Sequence, residues 1–267
     1  MRIATLTAGL ACIMTANTYA QTRNVEFELM TWPELKRAIH DEGKTTALIF
    51  NGGVEQRGPQ GVSGAHNLVA HALALEIAEK LGNAIVAPAI PFSVNNASAE
   101  LPGTIGVTGA VFAAVNEQEA EQLIVNGFRN VVLMGDHGGG QKELAEVARK
   151  LDAKYSPQGI RVVYCGDVYA KVGTDFNKWL QDHNLPVGSH ASIKDTSELW
   201  YLGGDKGWIR KDQIATAVSD AAHRNGISGD ARRSSPEIGK VVSDMKVDYA
   251  VAQIRQLLSG SATAAVR

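Results

Sequence analysis

Cysteine is almost absent. Two occur among 267 residues, and Cys12 falls in an N-terminal stretch that reads as removed. Cys165 is then left without an intramolecular disulfide partner, so stability has to come from a packed core. It sits in the apolar run RVVYCGD, where a buried, inert thiol is expected rather than a nucleophile. An excess of one charge is also missing: Lys plus Arg total 26 and Asp plus Glu 28, a formal net charge of −2. That balance excludes a strongly basic nucleic-acid binder and an acidic solvating tail. No Pro/Gly/Ser-rich linker, internal repeat or low-complexity segment divides the chain. No apolar run reaches the ~20 residues of a membrane span. The metal signatures HExxH and CxxC and the phosphate-loop patterns GxGxxG and GxxxxGK[ST] do not occur at the motifs that matter.

What is present is enough apolar sequence, 45% of residues, to bury a core. Glycine is plentiful, at 27 residues. Residues 1–20 place Arg2 before an apolar stretch from Ile3 to Met14, then Thr18 and Ala20 at the −3 and −1 positions of a cleavage before Gln21. This pattern predicts a signal peptide and a periplasmic or secreted protein. A structured unit is expected over 24–260, with a frayed tail at 261–267. The nearly continuous apolar runs 46–50, 83–90, 130–135 and 161–167 read as buried parallel strands. Amphipathic stretches at 32–43, 67–82, 109–127, 140–154 and 246–259 read as helices, the first capped by Thr31 with Pro33 in its first turn and stopped by Gly43. The alternation predicts a three-layer α/β/α sandwich around a mostly parallel sheet, in a single domain.

In open α/β sheets, sites form beyond the C-terminal strand ends. Four segments belong there: 51–66, 100–106, 135–141 and 188–200. They bring Glu55, Arg57, His66, Asp136, His137, His190 and Asp195 to one edge. Imidazole and carboxylate form the ligand set of zinc, manganese or iron. His40, His71, His183 and His223 fall in or near helices and read as structural or surface residues. GDHGGGQ follows a strand and opens a helix, as a phosphate loop does, but Asp136 would repel a phosphate. Close backbone approach beside His137 accounts better for its glycines.

EQRGPQ, SAELPGTIG, GDHGGGQ and SHASIKDTSELW, with the upstream TWPELKRAI and TTALIFNGGVEQ, resemble in order the motifs of the creatininase family. The resemblance implies metal-dependent hydrolysis of amide C–N bonds in small or cyclic substrates, a two-metal centre and a homo-oligomer. By position, the family's motif glutamate falls on Glu55, its first histidine on Arg57 and its second on Gln60. The bridging aspartate falls on His66, and the later motif residues fall on His137, His190 and Asp195. Arginine in place of a ligand and histidine in place of the bridging carboxylate point to one metal, zinc before manganese or iron. Glu55, His66 and His137 are the expected ligands, with Asp195 completing the set or acting as a base. His190 is expected to move a proton. Arg57 has two open roles: filling the lost metal's space to hold an anion, or pairing with Glu55 or Asp195. Trp200 is a candidate pocket wall or core residue. The leading expectation is an exported amidohydrolase with a small-molecule substrate and no nucleic-acid or membrane partner. The alternatives are a non-catalytic ligand binder and a lactonase, lyase or isomerase on the same scaffold.

Overall fold

The computed structural model describes residues 24–220 and 224–259. The proposed export stretch, His223 and the tail 261–267 lie outside the described residues. In chain order the elements are α1 (Trp32–His40), β1 (Thr46–Asn51), α2 (Ala65–Leu81), β2 (Ala84–Val86), β3 (Ser93–Val94), β4 (Gly106–Val107), α3 (Gly109–Val125), β5 (Asn130–Gly135), α4 (Gln141–Tyr155), β6 (Arg161–Tyr164), α5 (Ala170–Asp182), α6 (Ile193–Gly203) and α7 (Pro236–Ser259).

The main sheet is parallel, in the order β2-β1-β5-β6. Its strands alternate cleanly between two cores. Leu48, Phe50, Val132, Met134 and Val163 face a cluster shared with α2 and α7. Ala47, Ile49, Val131, Leu133 and Val162 face the other cluster, with α1, α3 and α4. Both faces are therefore covered, which is why the strands read as unbroken apolar runs. The helices form as their sequence signals require. Thr31 and Glu34 close a reciprocal capping box on α1, with the Thr31 N–H 2.7 Å from Glu34 Oε2, and Gly43 stops the segment in the left-handed region.

Several boundaries differ from the sequence reading. The run 83–90 is a strand only to Val86, because Pro88 has no N–H to give the ladder. The run 161–167 ends at Tyr164, ahead of a turn in which the Tyr169 N–H donates to the Gly166 carbonyl. Helix α7 starts at Pro236, ten residues before the expected 246. Gly239 blurs the helical pattern there, but it is the point of closest packing on α6: a Cβ would collide with the Ser197 carbonyl. Helix α5 was not expected, and α6 occupies part of a segment read as loop.

Chain order reverses at β1, whose neighbours are β2 on one side and β5 on the other. Such a switch point leaves a crevice beyond the strand ends. Asn51 pairs in register with Gly135, so the loops after β1 and β5 leave the sheet side by side. Buried Asn51 secures this edge: its amide nitrogen donates to Asn116 Oδ1 at 2.7 Å and its oxygen accepts from the Ile90 N–H at 3.3 Å.

Candidate active site

Glu55 follows β1, His66 lies in the first turn of α2, His137 follows β5 and His190 precedes α6. All four line one cavity of about 190 Å³, together with Arg57, Asp136, Tyr169, Lys194 and Asp195. Glu55 Oε2 is the point of convergence. It lies 3.4 Å from His66 Nε2, 3.5 Å from His137 Nε2, 3.5 Å from His190 Nδ1 and 3.5 Å from Arg57 Nη1. Burial pushes the Glu55 carboxyl up, but hydrogen bonding to His137, His66 and Asn95 outweighs it, so the group stays anionic.

The glycines after β5 permit this convergence. A Cβ at Gly139 would collide with the Val94 carbonyl, and Gly140 adopts a left-handed φ of 96°. No phosphate cradle results, because Asp136 is consumed by other partners. His66 Nδ1–H donates to Asp136 Oδ2 at 2.7 Å, and Lys246 Nζ donates at 2.6 Å to both Asp136 Oδ1 and Glu198 Oε2. All four side chains are buried. Burial pushes the Asp136 carboxyl up, but the Lys246 charge and the His66 hydrogen bond hold it below the ordinary range. This chain fixes the His66 tautomer with a lone pair on Nε2, the arrangement found in carboxylate–histidine–metal triads.

The donor set passes a geometric test for a divalent ion. Glu55, His66 and His137 each offer a ligand atom, and all three atoms lie within 4.8 Å of one another. The 3.4 and 3.5 Å separations from Glu55 approach the ~3.3 Å edge of a tetrahedron with bonds of 2.0–2.1 Å. Lone pairs converging on a carboxylate repel one another unless a proton or cation lies among them. At His137, Nδ1 is 3.0 Å from the Gly139 N–H and 3.2 Å from the Gly139 carbonyl. Ligation through Nε2 selects the tautomer that donates to the carbonyl. Two groups compete for the lone pairs a metal needs: Arg57 Nη1 lies 2.9 Å from His66 Nε2, and the Asn95 amide nitrogen lies 3.2 Å from His137 Nε2.

Arg57 also bridges to Asp195, with Nη2 3.3 Å from Oδ1. The structure thus places Asp195 beside Arg57, outside the compact donor set, and shows Arg57 paired with both carboxylates named for it. Burial raises the Asp195 carboxyl, but Arg57 outweighs it and brings it down to about 2. Asp195 Oδ2 is buried with no partner among the described residues. His190 Nε2 lies 2.8 Å from the Gln56 carbonyl and 3.0 Å from the Gln56 amide nitrogen, and the tautomer that donates to the carbonyl leaves Nδ1 facing the cavity as an acceptor. Burial, aided by Arg57, pushes His190 below its usual range, so it is neutral at pH 7. Gln60 ties the loops together, donating to the Ala191 carbonyl at 2.8 Å and Thr196 Oγ1 at 3.0 Å. Ala191 itself takes a left-handed φ of 49°, a local strain placed directly after His190.

The segment 100–106 packs on the site without lining the cavity: Thr104 Oγ1 accepts from the Gln56 N–H at 3.1 Å. Trp200 does not wall the cavity and packs against the core instead. Sequence reasoning missed Asn95, whose amide lies 2.9 Å from Glu55 Oε1 and 3.2 Å from His137 Nε2. It also missed Tyr169, Lys246 and Glu198. Cys165 is fully buried as expected, and burial pushes its thiol up to about 12.

A sequence profile of the creatininase family, described as creatinine amidohydrolase, matches residues 28–254. No curated protein matches the chain. Among solved structures, creatinine amidohydrolase (creatininase) is similar at a TM-score of 0.70 and 20% identity, over 87% of this chain and 97% of that one. A structure described as creatininase with Mn gives 0.69 at 20% identity, over 87% and 98%. A mutant creatininase of Zn–Zn type gives 0.67 at 21%, over 87% and 98%. At such identities these likenesses establish the fold.

Proposed function

The chain belongs to the creatininase family, and on that premise we propose that it is an exported, single-metal hydrolase of small linear or cyclic amides. The observation that carries the reading is the convergence of Glu55, His66 and His137 on one point; the motif resemblance, which puts Arg57 on a family ligand position, supports one metal rather than two. Glu55, His66 and His137 would hold a divalent ion, zinc or manganese on the donor chemistry, which when bound would supply Lewis acidity for activating water and polarising a carbonyl. The rest of the work falls to the chain's own groups. Asp136 orients His66 and keeps Nε2 unprotonated. The Arg57 guanidinium, fixed by Asp195, adds a permanent positive charge beside the reacting carbonyl and favours a developing oxyanion. His190 Nδ1, neutral and facing the cavity, takes a proton and returns it to the leaving nitrogen. The residue pattern before Gln21 supports export, which the intact mass of the protein recovered from cells tests.

The test is turnover of a panel of lactams and linear amides by protein reconstituted with zinc or manganese. Activity is expected in wild type. His137→Ala should lose both metal and turnover, whereas His190→Ala should keep the metal and lose about 100-fold or more in kcat. Full activity in His137→Ala contradicts the ligand assignment. One observation favours a second reading. The Arg57 N–H directed at His66 Nε2 satisfies that lone pair without a metal, as in a family member that binds a small ligand without turning it over. A protein that takes up no metal on reconstitution but still binds panel compounds would support this second reading.

A further inference from the structure

The inner cavity opens outward across a border formed by Tyr169, Gly173, Ser189 and Lys194, all of which also line a second, larger cavity of about 580 Å³. Two donors on that border are underused. The Tyr169 hydroxyl makes no hydrogen bond among the described residues. Lys194 Nζ makes none either: its one ionic neighbour is Asp195 Oδ1 at 3.8 Å, and it lies 6.0 Å from the Tyr169 ring centroid. That carboxylate is already committed to Arg57 at 3.3 Å. Four other lysines of this chain behave differently, although the exposed Lys142 also stands 3.8 Å from its nearest carboxylate. Lys150, Lys154, Lys178 and Lys240, all more exposed, hold a carboxylate at 2.7, 2.6, 2.8 and 2.7 Å respectively. The Lys194 side chain is only 22% exposed, so its stem is packed while its ammonium has no counter-ion closer than 3.8 Å among the described residues.

We infer that Lys194 and the Tyr169 hydroxyl form a carboxylate subsite, and that the substrate is an amide carrying a carboxylate a few bonds from the scissile carbonyl. The inference rests on the hydrolase reading of the inner cavity. One ammonium and one neutral hydroxyl match a monoanion in charge and number of donors. A phosphate dianion needs more positive charge than one lysine beside Asp195 supplies. Arg57 is not the anchor, because its charge already faces the Asp195 and Glu55 carboxylates and one N–H is directed at His66. Both cavities share this border, so a ligand spanning it reaches the Glu55 cluster with one end and open solvent with the other.

The experiment is calorimetric binding to the full-length, metal-reconstituted protein, using three acid and amide pairs: 5-oxoproline, N-acetylglycine and succinamate, each against its neutral carboxamide. At least one acid is expected to bind about tenfold or more tightly than its partner. Lys194→Met should abolish that preference while leaving the neutral compound and the melting temperature unchanged. Lys194→Arg should keep most of it, and Tyr169→Phe should reduce it about threefold. The inference is overturned if wild type prefers no acid, or if Lys194→Met preserves the preference. Metal content of the same samples separates the two proposals. Acid preference in a protein that takes up no metal leaves the subsite standing and removes the hydrolase reading. Full metal loading without acid preference does the reverse.

Discussion

Asp136 never faces the converging lone pairs, yet it decides which nitrogen His66 offers to them. Asp136→Asn should therefore weaken metal affinity by about 10–100-fold while leaving the three ligands in place, a change that competition with a chelator measures directly. An unchanged affinity would show that Arg57, not Asp136, sets the His66 tautomer. A second titratable group acts far from the site. Burial, with a smaller contribution from Glu28, pushes the Glu119 carboxyl of α3 up to about 7, and its Oε1 has no partner among the described residues. Its folded-state value thus exceeds its unfolded one, so the folded chain holds the proton more tightly. Stability falls as pH rises from about 4.5 through 7. Glu119→Gln should leave urea stability at pH 4 unchanged and raise it by about 1–3 kcal/mol at pH 8. At this scale the sequence singled out Glu55, His66 and His137, which the structure brings within 4.8 Å of one another, since imidazoles in glycine-rich loops are uncommon. It did not reveal Asn95, because an amide in a loop carries no chemical signature until its neighbours are known. Lys246 and Glu198 were hidden for a related reason. Charged residues on helices read as solvent-facing, and only packing shows them buried against each other.

Among elements, α7 and α6 support the site from behind. Lys246 on α7 and Glu198 on α6 meet at 2.6 Å, and the same ammonium holds Asp136. Lys246→Met removes the one cation from two buried carboxylates. It should cost about 3–5 kcal/mol in urea unfolding at pH 7, because an uncompensated buried charge is worse than no pair at all. A loss under about 1 kcal/mol would mean that solvent or a proton replaces the lysine without penalty. The glycine-rich turn after β5 makes a steric prediction. Gly139→Ala should displace the His137 loop from the Val94 carbonyl, costing about 1–3 kcal/mol and weakening metal retention in the same variant. Most helices were legible because capping residues and apolar periodicity agree within them. Helix α6 was obscured by the SHASIKDTSELW motif, whose chemistry drew attention away from its helical turn. The start of α7 was obscured by Gly239, which is there for close helix packing.

For the whole molecule, the parallel sheet, its two covered faces and the edge that carries the site were all legible. Buried strands announce themselves as apolar runs, and in such sheets sites gather where strand order reverses. The arrangement of charge inside that crevice was not. Arg57 could be foreseen as a misfit among ligands, but not as a group that simultaneously meets His66, Glu55 and Asp195. The central claim is that this arrangement leaves room for one metal. Metal content per chain, measured on the reconstituted protein beside His66→Ala and His137→Ala, tests it most directly. The account predicts about one transition-metal ion per wild-type chain, lost in both variants. Two ions per chain in wild type, or none after reconstitution, would contradict it.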